Sequence, residues 1–167
     1  MSAAGQLVRE PDLLHVGSEL FGPLSVAPGD CLVFPEGLLG FAAQRRWVLL
    51  PAAARGVYWL QSCDEGALVF LVVDPFDFVA DYAVDVADDD PVARGTERPE
   101  DVAVLAIVTL PATPWAAATM NLQGPLVVNL RTRLGFQRVR RDAAYGPRHA
   151  IDLRSRLALS SSGERRR

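Results

Sequence analysis

The stretch VYWLQSCDEGALVFLVV, residues 57–73, contains two apolar segments separated by a short polar one. Val57–Ser62 and Ala67–Val73 are rich in β-branched and aromatic residues, and short segments of this kind predict strands rather than helices. Between them, Asp64–Gly66 has the composition of a hairpin loop in which the glycine is free to take a positive φ. These residues therefore predict an antiparallel β-hairpin.

Short apolar segments recur along the rest of the chain, and proline, glycine and aspartate separate them, as in turns. An earlier hairpin is predicted with arms at His15–Leu20 and Leu24–Val26. Further strands are predicted at Cys31–Phe34, Trp47–Leu50, Asp81–Val86, Val102–Leu110, Thr119–Leu122, Leu126–Asn129 and Phe136–Arg140. Ala87–Asp101 is the exception, because its Asp88–Pro91 predicts a short helical turn capped by aspartate. The pattern predicts a mainly β, single-domain protein with little helix, built as a closed or nearly closed antiparallel barrel.

The composition is that of an ordinary globular protein. The chain has 167 residues, of which half are hydrophobic and 22% are charged. Its two cysteines are too few for a disulfide-rich secreted scaffold, and the first ten residues lack the pattern of a signal peptide. The longest apolar runs are seven residues, far shorter than a membrane span. We therefore expect a cytoplasmic protein with no membrane association.

Charge is distributed unevenly. Residues 1–130 carry 6 arginines against 17 acidic residues, a net of −11, whereas residues 131–167 carry 11 arginines against 3, a net of +8. The asymmetry predicts an acidic body with a basic C-terminal region. That region is what a direct RNA-binding module would use. Against this, the arginines at 131–140 alternate as on a solvent-facing strand, and Phe136 and Tyr145 are too few to stack bases.

The titratable residues do not form a recognisable catalytic or metal-binding motif. The chain has only two histidines and no HxH, HExxH or CxxC spacing, so no metal or cofactor is expected. The paired carboxylates Asp74/Asp77 and Asp88–Asp90 are typical of solvated loops. Cys63 with His149 could in principle form a thiolate–imidazolium pair for a hydrolase, but no local motif exposes Cys63 as a nucleophile. We expect a protein that is not an enzyme.

Several sequence phrases, taken in order, resemble the FliW family. They are FPEGLLGF at 34–41, WLQS at 59–62, VDPF at 73–76, VAVLAIVTLP at 102–111, TMNLQGPLVVN at 119–129, RV at 138–139 and YGPRH at 145–149. The resemblance implies that residues 13–151 form the β-barrel-like domain of that family. A flexible tail at 1–12 and an Arg-rich, disordered tail at 152–167 would flank it.

The resemblance also implies a function. Proteins similar to this chain are small cytoplasmic binding proteins without catalytic activity, monomeric when free. They bind newly made flagellin and, when free of it, bind and antagonise the RNA-binding translational regulator CsrA, which relieves repression of flagellin synthesis. The antagonism is expected to act at a site apart from the RNA-binding surface of the regulator.

Partner-binding residues are predicted on the segments that could receive an amphipathic segment of flagellin, as a groove or as a sheet edge. The candidates are Asp74, Phe76, Tyr82, Thr119, Met120, Asn121, Leu122, Gln123, Gly124 and Pro125. The competing interpretation is that Phe76, Met120 and Leu122 only pack the barrel, because apolar residues in strands are most often core.

Overall fold

The structure is a computed structural model that describes residues 12–52, 54–113, 116–142 and 144–156. Residues 1–11 and 157–167, which make up most of the two predicted tails, lie outside the described residues. One short helix, at 153–156, is present in the described part. No helix in that part is long and apolar enough to cross a membrane.

Eleven strands make up most of the regular structure in the described ranges, joined by short turns that include 3-10 turns at Pro28–Asp30, Pro75–Asp77 and Pro99–Asp101. The strands are β1 Leu14–Ser18, β2 Gly22–Val26, β3 Cys31–Val33, β4 Arg46–Pro51, β5 Val57–Ser62, β6 Val69–Val73, β7 Val102–Thr109, β8 Ala118–Met120, β9 Leu126–Asn129, β10 Gly135–Gln137 and β11 His149–Ile151. The prediction of a mainly β, antiparallel fold with little helix is confirmed.

The sheet order follows the chain with one branch. β1 and β2 form a separate hairpin, and the main sheet runs in the order β10-β9-β7-β6-β5-β4-β3. The eight-residue strand β7 is the branch point, because Val102–Leu105 pair with β9 while Val108 and Thr109 pair with β8. β8 in turn pairs with β11. The branch brings β8, β11 and the loops around them together at one end of β7.

The main sheet curls without closing into a continuous barrel. Its two end strands meet through an isolated parallel bridge between Val33 and Leu134. The backbone N–H of Val33 donates to the carbonyl oxygen of Arg133 at 2.8 Å. One bridge is not a ladder, so the predicted nearly closed barrel is accurate only as a loose description.

Both faces of the central strands carry buried side chains. Successive side chains of a strand point to opposite faces of the sheet, and here each face packs against its own cluster. On β6, Val72 packs with Leu60 and Leu105 in one cluster. Its neighbours Leu71 and Val73 pack in a second cluster with core residues of β7, β8 and β11. The near-continuous apolar runs of these central strands follow from this double burial.

The β1–β2 hairpin lies against the β5–β6 turn through very close backbone contact. Glu19 donates its N–H to the carbonyl oxygen of Gly66 at 3.0 Å. A methyl group on Gly66 would overlap the carbonyl oxygen of Gly17 and come within 2.9 Å of the carbonyl carbon. The expectation of a positive φ at Gly66 is wrong: glycine is needed there because two backbones meet.

The predicted strand Asp81–Val86 is absent, since residues 82–87 pair with no strand in the described part of the chain. The segment still alternates, with Tyr82, Val84 and Val86 facing the core and the residues between them exposed. An alternating pattern indicates that one side of an extended chain is buried. It does not indicate that the chain is hydrogen-bonded to a neighbouring strand. Conversely, β11 was missed because His149–Ile151 is too short to show a pattern. The predicted helical turn at Asp88–Pro91 is replaced by hydrogen-bonded turns.

Candidate functional site

Phe76 is held on a tight turn directly after β6. The carboxylate of Asp74 accepts the backbone N–H of Phe76 at 2.9 Å, and Pro75 begins the 3-10 turn. An aspartate at this position satisfies a backbone donor that the turn leaves unpaired. Burial is the main cause that raises the pKa of Asp74, with repulsion from Asp77 adding to it. The turn leaves Phe76 44% exposed.

Tyr82 lies beneath Phe76 and joins it to the turn after β8. The ring centroids of Phe76 and Tyr82 are 5.9 Å apart. The hydroxyl of Tyr82 donates to the carbonyl oxygen of Leu122 at 2.8 Å, and the residue is only 3% exposed. Burial raises the pKa of the Tyr82 phenol above its ordinary value. Phe76, Tyr82 and the 119–125 turn, predicted as partner-binding residues, are thus connected in space.

Most of the predicted 119–125 segment is structural in character. Met120 and Leu122 are fully buried in the core. The side-chain oxygen of Asn121 accepts the N–H groups of Gln123 and Gly124 at 3.0 and 2.9 Å, which shapes the turn. The segment's partly exposed residues are Thr119, Asn121 and Gln123, whereas Gly124 and Pro125 are buried.

Arg140 and Tyr145 complete this arrangement, and sequence reasoning did not select them as site residues. The Arg140 guanidinium carbon is 5.3 Å from the ring centroids of both Tyr82 and Tyr145, whose rings are themselves 5.0 Å apart in an edge-on arrangement. Arg140 also donates to the carbonyl oxygen of Ala83 and to Asp142, the latter at 2.8 Å. We call Phe76, Tyr82 and Tyr145 the aromatic cluster. The alternation of the arginines predicted side chains that face solvent. The contact of the Arg140 guanidinium with two tyrosine rings was therefore not predicted.

Three arginines in the described part of the basic region pair with carboxylates of the acidic body. Arg131 pairs with Glu97 at 3.0 Å, Arg156 pairs with Asp77 at 2.7 Å, and Arg138 pairs with Asp90. Pairing with carboxylates reduces the positive potential that these side chains present to a phosphate backbone. The described part of the basic region therefore presents less positive charge to nucleic acid than its number of arginines suggests.

A groove of about 790 Å³ opens beside β8 and β11. Its walls are mostly apolar, and the residues that line it include Leu110, Pro111, Ala118, Ile151 and Leu153. Leu110 is 54% exposed at its edge. Ala118, which lines the groove, directly precedes Thr119, the first residue of the predicted 119–125 segment.

Cys63 and His149 lie in different parts of the sheet. Cys63 follows β5 and packs in a small cluster with Cys31 and the β1–β2 hairpin. His149 is on β11, and the sheet order puts β6, β7 and β8 between the two residues. Burial, followed by the proximity of Cys31, raises the pKa of the Cys63 thiol to about 12. In the described ranges, no group of three or more His, Cys, Asp or Glu side chains could hold a metal ion.

The raised pKa of Cys63 leads to a testable expectation for thiol labelling. The thiolate is the reactive form, so a higher pKa leaves less of it at a given pH. We expect iodoacetamide at about pH 8 to label Cys63 at least about a hundredfold more slowly in the folded chain than in concentrated urea. Peptide mass spectrometry would assign the rate to Cys63, with Cys63→Ser as the control. Labelling at equal rates in both states would contradict the burial of this thiol.

Comparison with known proteins identifies the family. The family model described as "FliW protein" matches residues 15–151. A flagellar assembly factor FliW of Magnetococcus marinus is 37% identical over 157 residues, covering 90% of this chain and 96% of that protein. One of Natranaerobius thermophilus is 32% identical, covering 83% and 92%. A crystal structure of the flagellar assembly factor FliW aligns with a TM-score of 0.71 at 28% identity, covering 81% of this chain and 95% of that one. The chain therefore belongs to the FliW family.

Proposed function

We propose that the chain acts in flagellar assembly as a cytoplasmic, non-catalytic binding protein for flagellin. When free of flagellin it binds the RNA-binding regulator CsrA and relieves repression of flagellin synthesis. The observation that carries the proposal is the family match over residues 15–151, together with relatives named flagellar assembly factors that align over nearly their whole length. The proposal also takes the chain to be a monomer when neither partner is bound.

The switch needs only mass action between two partners. If flagellin and the regulator exclude each other, the concentration of unexported flagellin sets how much of the chain remains for the regulator. No conformational change is required. The apolar groove beside β8 and β11 is a feature of the kind that an amphipathic segment of flagellin needs.

Charge supplies a mechanism for antagonism. The net charge of −11 on residues 1–130, placed beside the RNA-binding surface of the regulator, would repel phosphate without covering that surface. Salt screens such repulsion over about 8–10 Å at physiological ionic strength. The antagonism should therefore weaken as salt is added.

A competition experiment tests the proposal. The tagged chain is incubated with purified flagellin, with the regulator, or with both, and a dilution series of flagellin is added to the complex with the regulator. We expect each partner to be retained alone and flagellin to displace the regulator. A parallel assay measures how much radiolabelled RNA the regulator binds with and without the chain. The loss of RNA binding that the chain causes should become smaller as the salt concentration rises. Retention of neither partner would overturn the proposal.

The alternative function is a direct RNA-binding module that uses the basic C-terminal region. Its support is the net charge of +8 on residues 131–167. A salt-dependent RNA complex formed without the regulator would favour it. The deletion that tests it should begin after Arg156, because Leu153 is buried and Arg156 pairs with Asp77. If the full chain binds RNA and this deletion abolishes the binding, the activity belongs to residues 157–167.

A further inference from the structure

Residues 82–96 lie against β9 and β10 without joining the sheet, and we call this segment the strap. In the described ranges, every backbone-to-backbone hydrogen bond of the strap is local. Each joins an N–H to the carbonyl oxygen three residues before it, and the donors are Tyr82, Asp90, Ala93 and Thr96. A strand such as β6 is held instead by ladders to β5 and to β7. The strap therefore lacks the backbone connections that make the strands of a sheet unfold together.

Uncharged side chains fasten the strap near both of its ends. The hydroxyl of Tyr82, a member of the aromatic cluster, donates to the carbonyl oxygen of Leu122 at 2.8 Å. The amide nitrogen of Asn129 on β9 donates to the carbonyl oxygens of Val92 and Arg94 at 2.8 and 3.0 Å. These three hydrogen bonds attach the strap at separate points and do not form a ladder.

Charged side chains also hold the strap. Arg138 pairs with Asp90, and Arg140 donates to the carbonyl oxygen of Ala83. The strap carries four aspartates and one arginine, a net of −3, whereas residues 129–141 carry five arginines and no acidic residue, a net of +5. The two segments therefore attract each other, and added salt weakens this attraction because it screens the charges.

The apolar contact beneath the strap is narrow. Val92 is fully buried in a cluster with Val127 of β9 and Phe136 of β10, whereas Val84 and Val86 are only partly buried there. The central strand β6, by contrast, buries side chains on both of its faces. Because less apolar area becomes exposed, lifting the strap costs less free energy than unfolding the sheet.

We propose that the strap opens as a unit while the sheet stays folded, and that Asn129, Arg138 and Arg140 form the clamp that holds it closed. The proposal goes beyond the proposed function, because it requires neither flagellin nor the regulator. Segments with few buried contacts open locally, at free energies below that of global unfolding. Opening uncovers Val127 and Phe136 and releases the guanidinium groups of the clamp. The strap thus controls whether these groups are accessible from outside.

Cysteine labelling measures the opening directly. The strap probe is Val92→Cys, and the sheet probe is Val72→Cys on β6, because both positions are fully buried. With iodoacetamide at about pH 8 and no denaturant, the strap probe should react at least about a hundredfold faster than the sheet probe. Low concentrations of urea should barely change its rate, since opening exposes little surface, but should speed the sheet probe steeply. Peptide mass spectrometry separates both probes from Cys31 and Cys63.

Variants of the clamp test what holds the strap closed. Arg138→Gln combined with Arg140→Gln removes the pair with Asp90 and the hydrogen bond to Ala83, and should speed labelling of the strap probe about tenfold. The matched control is Arg46→Gln, which removes an Arg–Asp pair on β4, a strand separated from β9 by β5, β6 and β7. That pair stays intact when the strap opens, so labelling of the strap probe should change by less than about twofold. Raising the salt concentration from about 0.1 M to about 1 M should speed the strap probe.

The outcomes separate this proposal from the proposed function. Fast labelling of the strap probe that urea barely changes supports the strap, whether or not the chain binds flagellin or the regulator. Equal rates and equal urea dependence for the two probes would overturn it, because the strap would then open only with the whole domain. A strap probe that the clamp variant does not speed would overturn the role of the arginines. If thermal unfolding shows that Val92→Cys does not fold, Val127→Cys replaces it, since Val127 is fully buried beneath the strap.

Discussion

Gly66→Ala is expected to lower the free energy of unfolding by about 3 kcal/mol. The added methyl group would overlap the carbonyl oxygen of Gly17, and backbone atoms cannot swing aside as the end of a side chain can. The β1–β2 hairpin must therefore move away from the β5–β6 turn. That movement breaks the hydrogen bond from Glu19 to Gly66 and uncovers the cluster that contains Val16 and Val26.

The same movement should disturb a buried polar contact. The hydroxyl of Ser18 donates to the side-chain oxygen of Gln61 at 2.8 Å, and Gln61 is fully buried. Urea unfolding would measure the stability loss, and hydrogen exchange should show reduced protection in β1 and β2. The control is Gly29→Ala, where nothing lies within 4 Å of the added carbon and a change within about 0.5 kcal/mol is expected. Equal stabilities for the two variants would contradict the close approach at Gly66.

Asn129→Ala is expected to cost about 3 kcal/mol, because a fully buried side chain loses four hydrogen bonds. Its amide nitrogen donates to the carbonyl oxygens of Val92 and Arg94 at 2.8 and 3.0 Å. Its side-chain oxygen accepts the N–H groups of Arg131 and Thr132 at 2.9 and 3.0 Å. One residue thus joins β9 to the 92–94 loop and shapes the turn before β10.

Asn121→Ala is the matched control for Asn129→Ala. Asn121 also accepts two backbone N–H groups in a turn, but it is partly exposed, so water can replace the lost acceptor. We expect a loss of about 1 kcal/mol there. Urea unfolding of both variants gives the comparison. If Asn129→Ala were no more destabilising than Asn121→Ala, the link to the 92–94 loop would contribute nothing to stability.

The candidate site was predictable only in part, and the reason differs between its members. Phe76 and its Asp74 cap could be anticipated because an aspartate-proline pair after a strand is a local turn signal. Met120 and Leu122 look the same in sequence whether they are core or contact, and the fold buries both. Arg140 packs against both Tyr82 and Tyr145, residues that precede and follow it at very different separations along the chain. No spacing rule connects such residues.

Local sequence was sufficient for β5 and β9, whose bounds match their predicted ranges, since short segments rich in β-branched, aromatic and other apolar residues, bounded by turn residues, are signals that act within a few positions. Local sequence also established the mainly β class and, through phrases in order, the family resemblance. Tertiary structure alone placed β8 and β9 along one edge of β7, left Asp81–Val86 extended without a partner, and required glycine at 66. Each of these outcomes depends on which distant backbone comes to lie alongside, and that is set by the packing of the whole core.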